Sequence, residues 1–406
     1  MDQTQNPIQS GVEIVNRKIL YAQAVFGEEE KQAVLKSLEN RWLAHGPLVK
    51  QFGEEIAKLF GKKYGLPVNS GSSANLVALA ALKLPEGSQV ITPACTFATT
   101  VSTILLNRLE PVFIDSVIGR YTIDEDLVEK AITERTRAIL VPQLIGGVCD
   151  MVKLKKLCDK YNLYLIDDSC DTLAPKLHDQ TVASYANLTT TSFYGSHIIT
   201  AMGIGGMVLT DSEEVFQKML TLINWGRLGD DKEAFENRFN YQIDDIPYDG
   251  KFLYGELGFN LKMNEASAAF GLVQLKRFPE FTEIRRRNFA RLLDFFASEN
   301  DKFHLPYLLD GAETTWLAFP LTIKKEAGFS RYDLLKHLEG KGIQTRVLFS
   351  GNITRHPLYR ERFLSQVGEL KNADEIMASG FLIGCHQGMD ENQVDYIIES
   401  FKEFLK

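Results

Sequence analysis

The chain has 406 residues, of which 45% are hydrophobic and 24% charged, and a formal net charge of −8. That length can bury a full core and leads to an expectation of one large and one small domain. The acidic balance, with no block of Lys or Arg, argues against a nucleic-acid surface, although local arginines and helix N-termini still leave room for an anionic substrate. The cysteines Cys95, Cys149, Cys158, Cys170 and Cys385 lack CxxC spacing, so neither a disulfide framework nor a zinc site is indicated. Met1 to Gly11 is polar, without the apolar core of a signal peptide, and no apolar run reaches membrane-span length. The expected location is the cytoplasm, with no membrane partner.

In chain order, Met1 to Lys18 reads as a frayed or partner-docked arm. Glu28 to Leu38 has helical spacing, with Ala33, Val34 and Leu38 on one face. Trp42 to Pro47 breaks that pattern, and Val49 to Phe60 reads as a second helix. A turn-rich piece follows and ends in Val68-Asn69-Ser70-Gly71-Ser72-Ser73-Ala74-Asn75, before a helix over Leu76 to Leu84. Small residues opening a helix let backbone N–H groups approach an oxyanion closely, yet the same string also reads as a plain N-cap. Strands at Gln89–Thr92, Pro111–Ile114, Ala138–Pro142 and Leu163–Ile166 alternate with helices at Thr99–Leu106, Glu125–Ile132 and Val152–Tyr161. That alternation predicts an α/β fold with a mainly parallel, twisted central sheet flanked by helices. Gly226 to Gly258 reads as one long irregular, charged stretch, and Met263 to about Ser298 as a helix. Beyond it, Leu317–Ile323, Tyr332–Leu338, Thr345–Phe349 and Gln393–Leu405 read as a smaller α+β part. The expected division is residues 1–275, an arm and a large cofactor-binding domain, and 276–406, a small C-terminal domain.

The most informative stretch runs from Leu163 to Leu209. Leu163-Tyr164-Leu165-Ile166 is a short buried strand that delivers Asp167-Asp168-Ser169-Cys170-Asp171 to the crevice at its carboxyl end. A second strand, Thr189 to Tyr194 with Ser192, leads into Gly195-Ser196-His197, followed by Gly203-Ile204-Gly205-Gly206 and the strand Met207-Val208-Leu209. With Thr92-Pro93-Ala94-Cys95-Thr96-Phe97 and Gly258-Phe259-Asn260-Leu261-Lys262-Met263, this ensemble resembles the sugar-modifying, pyridoxal-phosphate-dependent branch of the fold type I aminotransferases. The resemblance runs from about Ile19 to the C-terminus. It is nearest to the nucleotide-linked 4-keto-6-deoxyhexose 3-dehydratases, CDP- and GDP-linked.

The resemblance implies roles residue by residue. Asp168 would pair with the pyridinium nitrogen of pyridoxal 5'-phosphate or pyridoxamine 5'-phosphate, and Phe97 would stack on the ring. Gly71, Ser72, Ser73 and Ser192 would lie near the cofactor phosphate. Asn260 would reach that phosphate from a neighbouring subunit, which implies a homodimer with shared active sites. Arg346, Asn352 and Arg355 resemble the substrate-facing segment, and Arg227 is a further substrate candidate. The implied partners are a nucleotide-linked 4-keto-6-deoxyhexose and an amino donor such as glutamate.

His197 stands where this family normally carries the lysine that binds the cofactor covalently. Alone it would read as a satisfied structural histidine; in register with that lysine it reads as a base, since an imidazole suits proton abstraction near neutrality. Dehydration at sugar carbon 3 then replaces amination. Ile204 replaces the acid of the Gly-Glu-Gly-Gly string, and the spacing from His197 to Gly205 is one residue longer than in the CDP-linked enzymes. After Trp225-Gly226-Arg227 no cysteine occurs before Asn260, so the iron–sulfur cluster of the CDP-linked enzymes is not expected. The other readings are a nucleotide-sugar aminotransferase that works without the lysine, and a degenerate, non-enzymatic member of the family.

Overall fold

The computed structural model describes residues 19–229, 234–362 and 365–406. The expected arm, Met1 to Lys18, and the acids Asp230, Asp231 and Glu233 lie outside the described residues. One eight-stranded sheet organises the fold. Its strands are β1 (Tyr64–Val68), β2 (Gln89–Pro93), β3 (Glu110–Ile114), β4 (Thr136–Pro142), β5 (Tyr164–Ser169), β6 (Leu188–Ser192), β7 (Gly206–Thr210) and a short β8 (Ser365–Gln366), in the order β1-β7-β6-β5-β4-β2-β3-β8. Pairing is parallel throughout β6-β5-β4-β2-β3-β8, and antiparallel where β7 meets β6 and β1. Every strand but β7 therefore points its carboxyl end to the same edge.

Alternate residues of the strands feed opposite faces, as the period of two requires. Helices α1 (Glu28–Glu39) and α2 (Pro47–Phe60) precede the sheet in the chain, and Val90, Leu140 and Ile166 pack under α3 (Gly71–Ala81), α4 (Ala98–Leu106) and α7 (Glu213–Ile223). Ile91, Ile139, Val141 and Leu165 pack under α5 (Glu125–Ala131) and α6 (Met151–Tyr161). Both faces are covered, so β2 is buried along its whole length, the environment in which near-continuous apolar strands occur.

The 33-residue helix Glu265–Ala297 leaves this body and enters the second one. Near its start, the Glu265 carboxylate accepts the first-turn amides of Leu48 (3.1 Å) and Val49 (2.9 Å), capping the helix Pro47–Phe60, whose own N-cap is a glycine. Its far half packs on an antiparallel four-stranded sheet made of Phe303–His304, Phe319–Ile323, Gly380–Ile383 and Arg346–Val347. The division expected at 275/276 falls inside this helix; we propose that it separates two working parts with the helix as their shared strut. Phe296, fully buried, has its ring 4.9 Å from Phe401, 5.3 Å from Phe303 and 5.5 Å from Phe319. Phe296→Ala should therefore cost about 3–5 kcal/mol, read as a lower urea midpoint; an unchanged midpoint would mean that this aromatic cluster does not hold the second body together.

Some elements differ from expectation. The helix expected from Leu76 already starts at Gly71, because Ser70 caps it: the Ser73 amide donates to Ser70 Oγ at 3.1 Å. The turn-rich piece before it contains β1. The stretch Gly226 to Gly258 holds a hairpin, Tyr241–Ile243 against Ile246–Tyr248. Its two turn residues, Asp244 (φ 47°) and Asp245 (φ 66°), are both left-handed, the pattern of a two-residue turn matched to strand twist. Helices Glu213–Ile223 and Lys371–Ser379 were not expected from the sequence.

Candidate active site

The carboxyl ends of the parallel strands meet in a cavity of about 670 Å³, where open α/β sheets place their ligands. Ser70 and Gly71 follow β1, Phe97 follows β2, Pro142 ends β4, Asp168 and Asp171 lie at the end of β5, and Ser192 ends β6. The second body closes the cavity with Leu317, Arg346, Phe349 and Leu382. Phe97 is half exposed and meets Phe349 edge-on at 5.7 Å. Ile204, 51% exposed, stands in the wall, so where the related string carries an acid this wall is apolar.

Asp168 is buried and held from several elements. Asn75 Nδ2 on α3 (2.8 Å) and Thr100 Oγ1 on α4 (3.0 Å) donate to its Oδ2, and the Cys170 amide donates to Oδ1 (3.2 Å). Asn75 is itself fixed by the Thr190 hydroxyl at 2.7 Å. Neither Asn75 nor Thr100 is singled out by sequence reasoning.

His197 lies in the loop after β6, with its Nδ1 2.5 Å from the carbonyl oxygen of Cys170. A carbonyl can only accept, so the ring donates from Nδ1, and in the neutral imidazole Nε2 carries the free lone pair. Burial lowers its pKa to about 4, with the carbonyl contact opposing and the charge of Arg285 adding to the shift. The imidazole is therefore neutral at ordinary pH. Among the described residues, no lysine lines the cavity.

Gly71, Ser72, Phe97, Asp168, Ser192, His197 and Arg346 line this one cavity. Ser73 sits just behind, its hydroxyl 3.0 Å from that of Ser70. Asn352 and Arg355 lie elsewhere, in a separate hollow. Both are engaged by Asp374: Asn352 Nδ2 at 2.7 Å, Arg355 Nε at 2.9 Å and Nη2 at 2.6 Å. Arg227 is also outside the cavity, packed on the Trp225 ring at 4.4 Å. Asn260 is exposed, in a segment whose neighbour Leu261 accepts the Asn69 amide at 2.8 Å, so it runs beside the β1–α3 junction. Tyr21 and Asp171 line the cavity without having been assigned a role from sequence; Asp171 belongs to the acidic string after β5, which was the available signal.

The cradle at the start of α3 fits a phosphate. A Cβ on Gly71 would fall 2.8 Å from both Cys170 Sγ and Ser192 Cβ, and one on Gly206 would fall 2.3 Å from the Ser70 carbonyl group. The glycines thus let the backbone close around a small anion, while the Gly71 and Ser72 amides begin a helix and have no intrahelical acceptor. Asp168 and Phe97 line the same cavity as this cradle. Among the described residues no group of three or more His, Cys, Asp or Glu side chains is placed to hold a metal ion, and no helix is long and apolar enough to cross a membrane.

Comparison with known proteins agrees with this geometry. The chain is 37% identical over 395 residues to the lipopolysaccharide biosynthesis protein RfbH of Salmonella typhimurium, covering 94% of this chain and 90% of that one. It is 35% identical to the dTDP-4-dehydro-2,6-dideoxy-D-glucose 3-dehydratase of Saccharopolyspora spinosa, covering 94% and 85%. The E. coli GDP-4-keto-6-deoxy-D-mannose-3-dehydratase, solved with bound hydrated PLP, superposes with a TM-score of 0.86 at 28% identity, covering 95% of this chain and 99% of that one. The profile of the DegT/DnrJ/EryC1/StrS aminotransferase family matches residues 25–402. The chain belongs to that family, whose enzymes are pyridoxal-phosphate-dependent and share the fold type I architecture described above.

Proposed function

We propose that this protein is a 3-dehydratase acting on a nucleotide-linked 4-keto-6-deoxyhexose in deoxysugar biosynthesis, using pyridoxal and pyridoxamine phosphate, with His197 as the base. What carries this reading is a cavity of the family's architecture that offers a neutral imidazole with its Nε2 free and, among the described residues, no lysine. Relatives at 35% and 28% identity that are named as 3-dehydratases support it, and the relative named for lipopolysaccharide biosynthesis fits such a product. The family also contains aminotransferases, the competing activity.

When bound, the cofactor supplies a conjugated ring that accepts the electron pair of a broken C–H bond. The Gly71 and Ser72 amides with Ser192 would hold its phosphate, Phe97 would lie against the ring, and Asp168 would pair with the ring nitrogen. His197 removes a proton through Nε2, its ring fixed by the Cys170 carbonyl. Arg346, at the mouth beside Tyr21 with 5.6 Å from guanidinium to ring centroid, meets the substrate's anionic part. Asn352 and Arg355 support the segment carrying Arg346 and Phe349, since Asp374 occupies their donors. Asn260 and Arg227 serve the cavity of a second copy in a homodimer; exposed Tyr254, Leu257 and Phe259 around Asn260 are the apolar surface such a contact would cover. Glutamate or a similar amino donor would supply the amino group, with neither an iron–sulfur cluster nor a reductase required.

Incubation with a small panel of nucleotide-linked 4-keto-6-deoxyhexoses, pyridoxal phosphate and glutamate, without any electron donor, tests this by mass spectrometry. Loss of water with release of ammonia is expected. Gain of an amino group would make the enzyme an aminotransferase, and a 3-deoxy product that forms only with a reductase and NADH would overturn the cluster-free route.

A further inference from the structure

We propose that Asp171 is the acid that protonates the departing hydroxyl, working with His197 across the same cavity; the inference rests on the dehydratase reading above. Asp171 lies three residues beyond Asp168 and lines the cavity. Its Oδ2 accepts the Ile145 amide at 3.0 Å. Among the described residues no donor reaches Oδ1. The local backbone is unusual: Ile145 has φ 61°, a left-handed conformation that costs a β-branched residue about 1–3 kcal/mol. Both its peptide groups are used there, the N–H on Asp171 and the carbonyl accepting the Leu317 amide at 2.7 Å. Strain of that kind is kept where the surroundings over-determine it, and here it turns one amide onto one carboxyl oxygen of a residue that lines the cavity.

The neighbouring carboxyls are employed differently. Asp168 takes three donors. Asp167 is sealed in the sheet, with Gln143 and Ser169 on its oxygens. Asp171 has one donor, and burial pushes its pKa up to about 7, the Ile145 amide opposing and the charge of Asp168 adding. A sizeable share of molecules therefore carry the proton at neutrality. The other titratable or charged groups lining the cavity are Tyr21, Tyr194, Cys170, His197 and Arg346.

The charge balance favours the pairing. Elimination breaks a C–H bond and a C–O bond: the C–H proton passes to His197, and the electron pair left behind balances the pair lost at carbon 3. A pair leaves with the oxygen at sugar carbon 3, and that oxygen takes the Asp171 proton and departs as water. Nothing is oxidised or reduced overall. His197 gains a positive charge as Asp171 gains a negative one, and the imidazole is pinned to the carbonyl of the residue immediately before Asp171. A half-buried imidazole that resists charging alone is thereby given a counter-charge in the same step.

Asp171→Asn tests this, because the amide oxygen can still accept from Ile145 while the amide supplies no acidic proton. The probes are a nucleotide-linked 4-keto-6-deoxyhexose that the wild type dehydrates and its analogue with fluorine replacing the hydroxyl at carbon 3, since fluoride departs without a proton. Water loss should fall by roughly a hundredfold or more while fluoride release stays within about tenfold of wild type. Equal losses on both probes, or no loss on either, would overturn the proposal. In the cofactor-free protein, the infrared difference between wild type and Asp171→Asn should show a protonated carboxyl band that titrates near pH 7; its absence would also overturn it. A wild type that dehydrates no such sugar refutes the dehydratase reading, and this inference with it, and is distinguishable because it precedes any mutation.

Discussion

Borohydride treatment of the holoenzyme followed by denaturation should leave the native chain unmodified, whereas the same treatment of His197→Lys should leave the reduced cofactor attached to the introduced amine. The difference is all-or-none because an imidazole cannot make the stable covalent link that a primary amine makes, and among the described residues no lysine borders the cavity to substitute. Dehydration in His197→Lys should fall by roughly a hundred- to ten-thousandfold, the usual contribution of a positioned base, with some amino sugar formed instead. A phosphopyridoxyl adduct on the native chain, or unchanged dehydration in the variant, would sink the role given to His197. The pH dependence has a definite sign. The folded pKa of His197, about 4, lies below its ordinary 6.5, so the base form persists down to about pH 4 and His197 should place no acid limb near 6.5 in the rate profile. Between those values the unfolded chain binds the extra proton, so stability falls as pH drops through that window. His386, lowered to about 4 mainly by burial, acts in the same direction.

The sheet and the chief site residues were legible because their signals are local. Asp168 and Ser192 are polar residues at the carboxyl ends of strands and Phe97 follows the end of another, and His197 stands out only against the related pattern. What could not be read is what tertiary contact decides. Asn75 and Thr100 reach Asp168 because α3 and α4 pack on one another and bring both side chains to the end of β5, an arrangement absent from either helix's own sequence. Asn352 and Arg355 look like free binding residues until Asp374, on a helix further along, claims them both. β1 was hidden by Gly65 and Pro67, which resemble a turn. Gly65 is needed because a Cβ there would fall 2.3 Å from the Gly53 carbonyl oxygen, where the helix Pro47–Phe60 lies against the strand. Pro67 is tolerated because β1 is an edge strand. The same tertiary logic hid Asp171: its distinction from Asp167 is the Ile145 amide, and that depends on a left-handed backbone no propensity predicts.

Asp168→Asn should lower turnover by roughly a hundredfold or more, about 2.7 kcal/mol or above in barrier, while still binding cofactor. The substitution preserves shape but not the hydrogen-bond pattern. In the wild type both carboxylate oxygens accept, Oδ2 from Asn75 and Thr100 and Oδ1 from Cys170. An amide can present only one acceptor. If its oxygen faces Asn75 and Thr100, its NH2 meets the Cys170 amide donor to donor; if it is flipped, it meets Asn75 and Thr100 in the same way. At least one buried donor is left unsatisfied in either case, at about 1–3 kcal/mol each, so a modest fall in thermal midpoint should accompany the kinetic loss. The larger effect is electronic: the ring nitrogen would lose its anionic partner, and with it the protonation that lets the ring take up the electrons of a broken C–H bond. Measured together, retained cofactor binding, a small drop in midpoint and a large drop in turnover identify Asp168 as the electronic partner. Turnover close to wild type would mean that the ring nitrogen lies elsewhere in the cavity, and loss of cofactor binding equal to the loss of turnover would reduce Asp168 to a scaffold for the cradle.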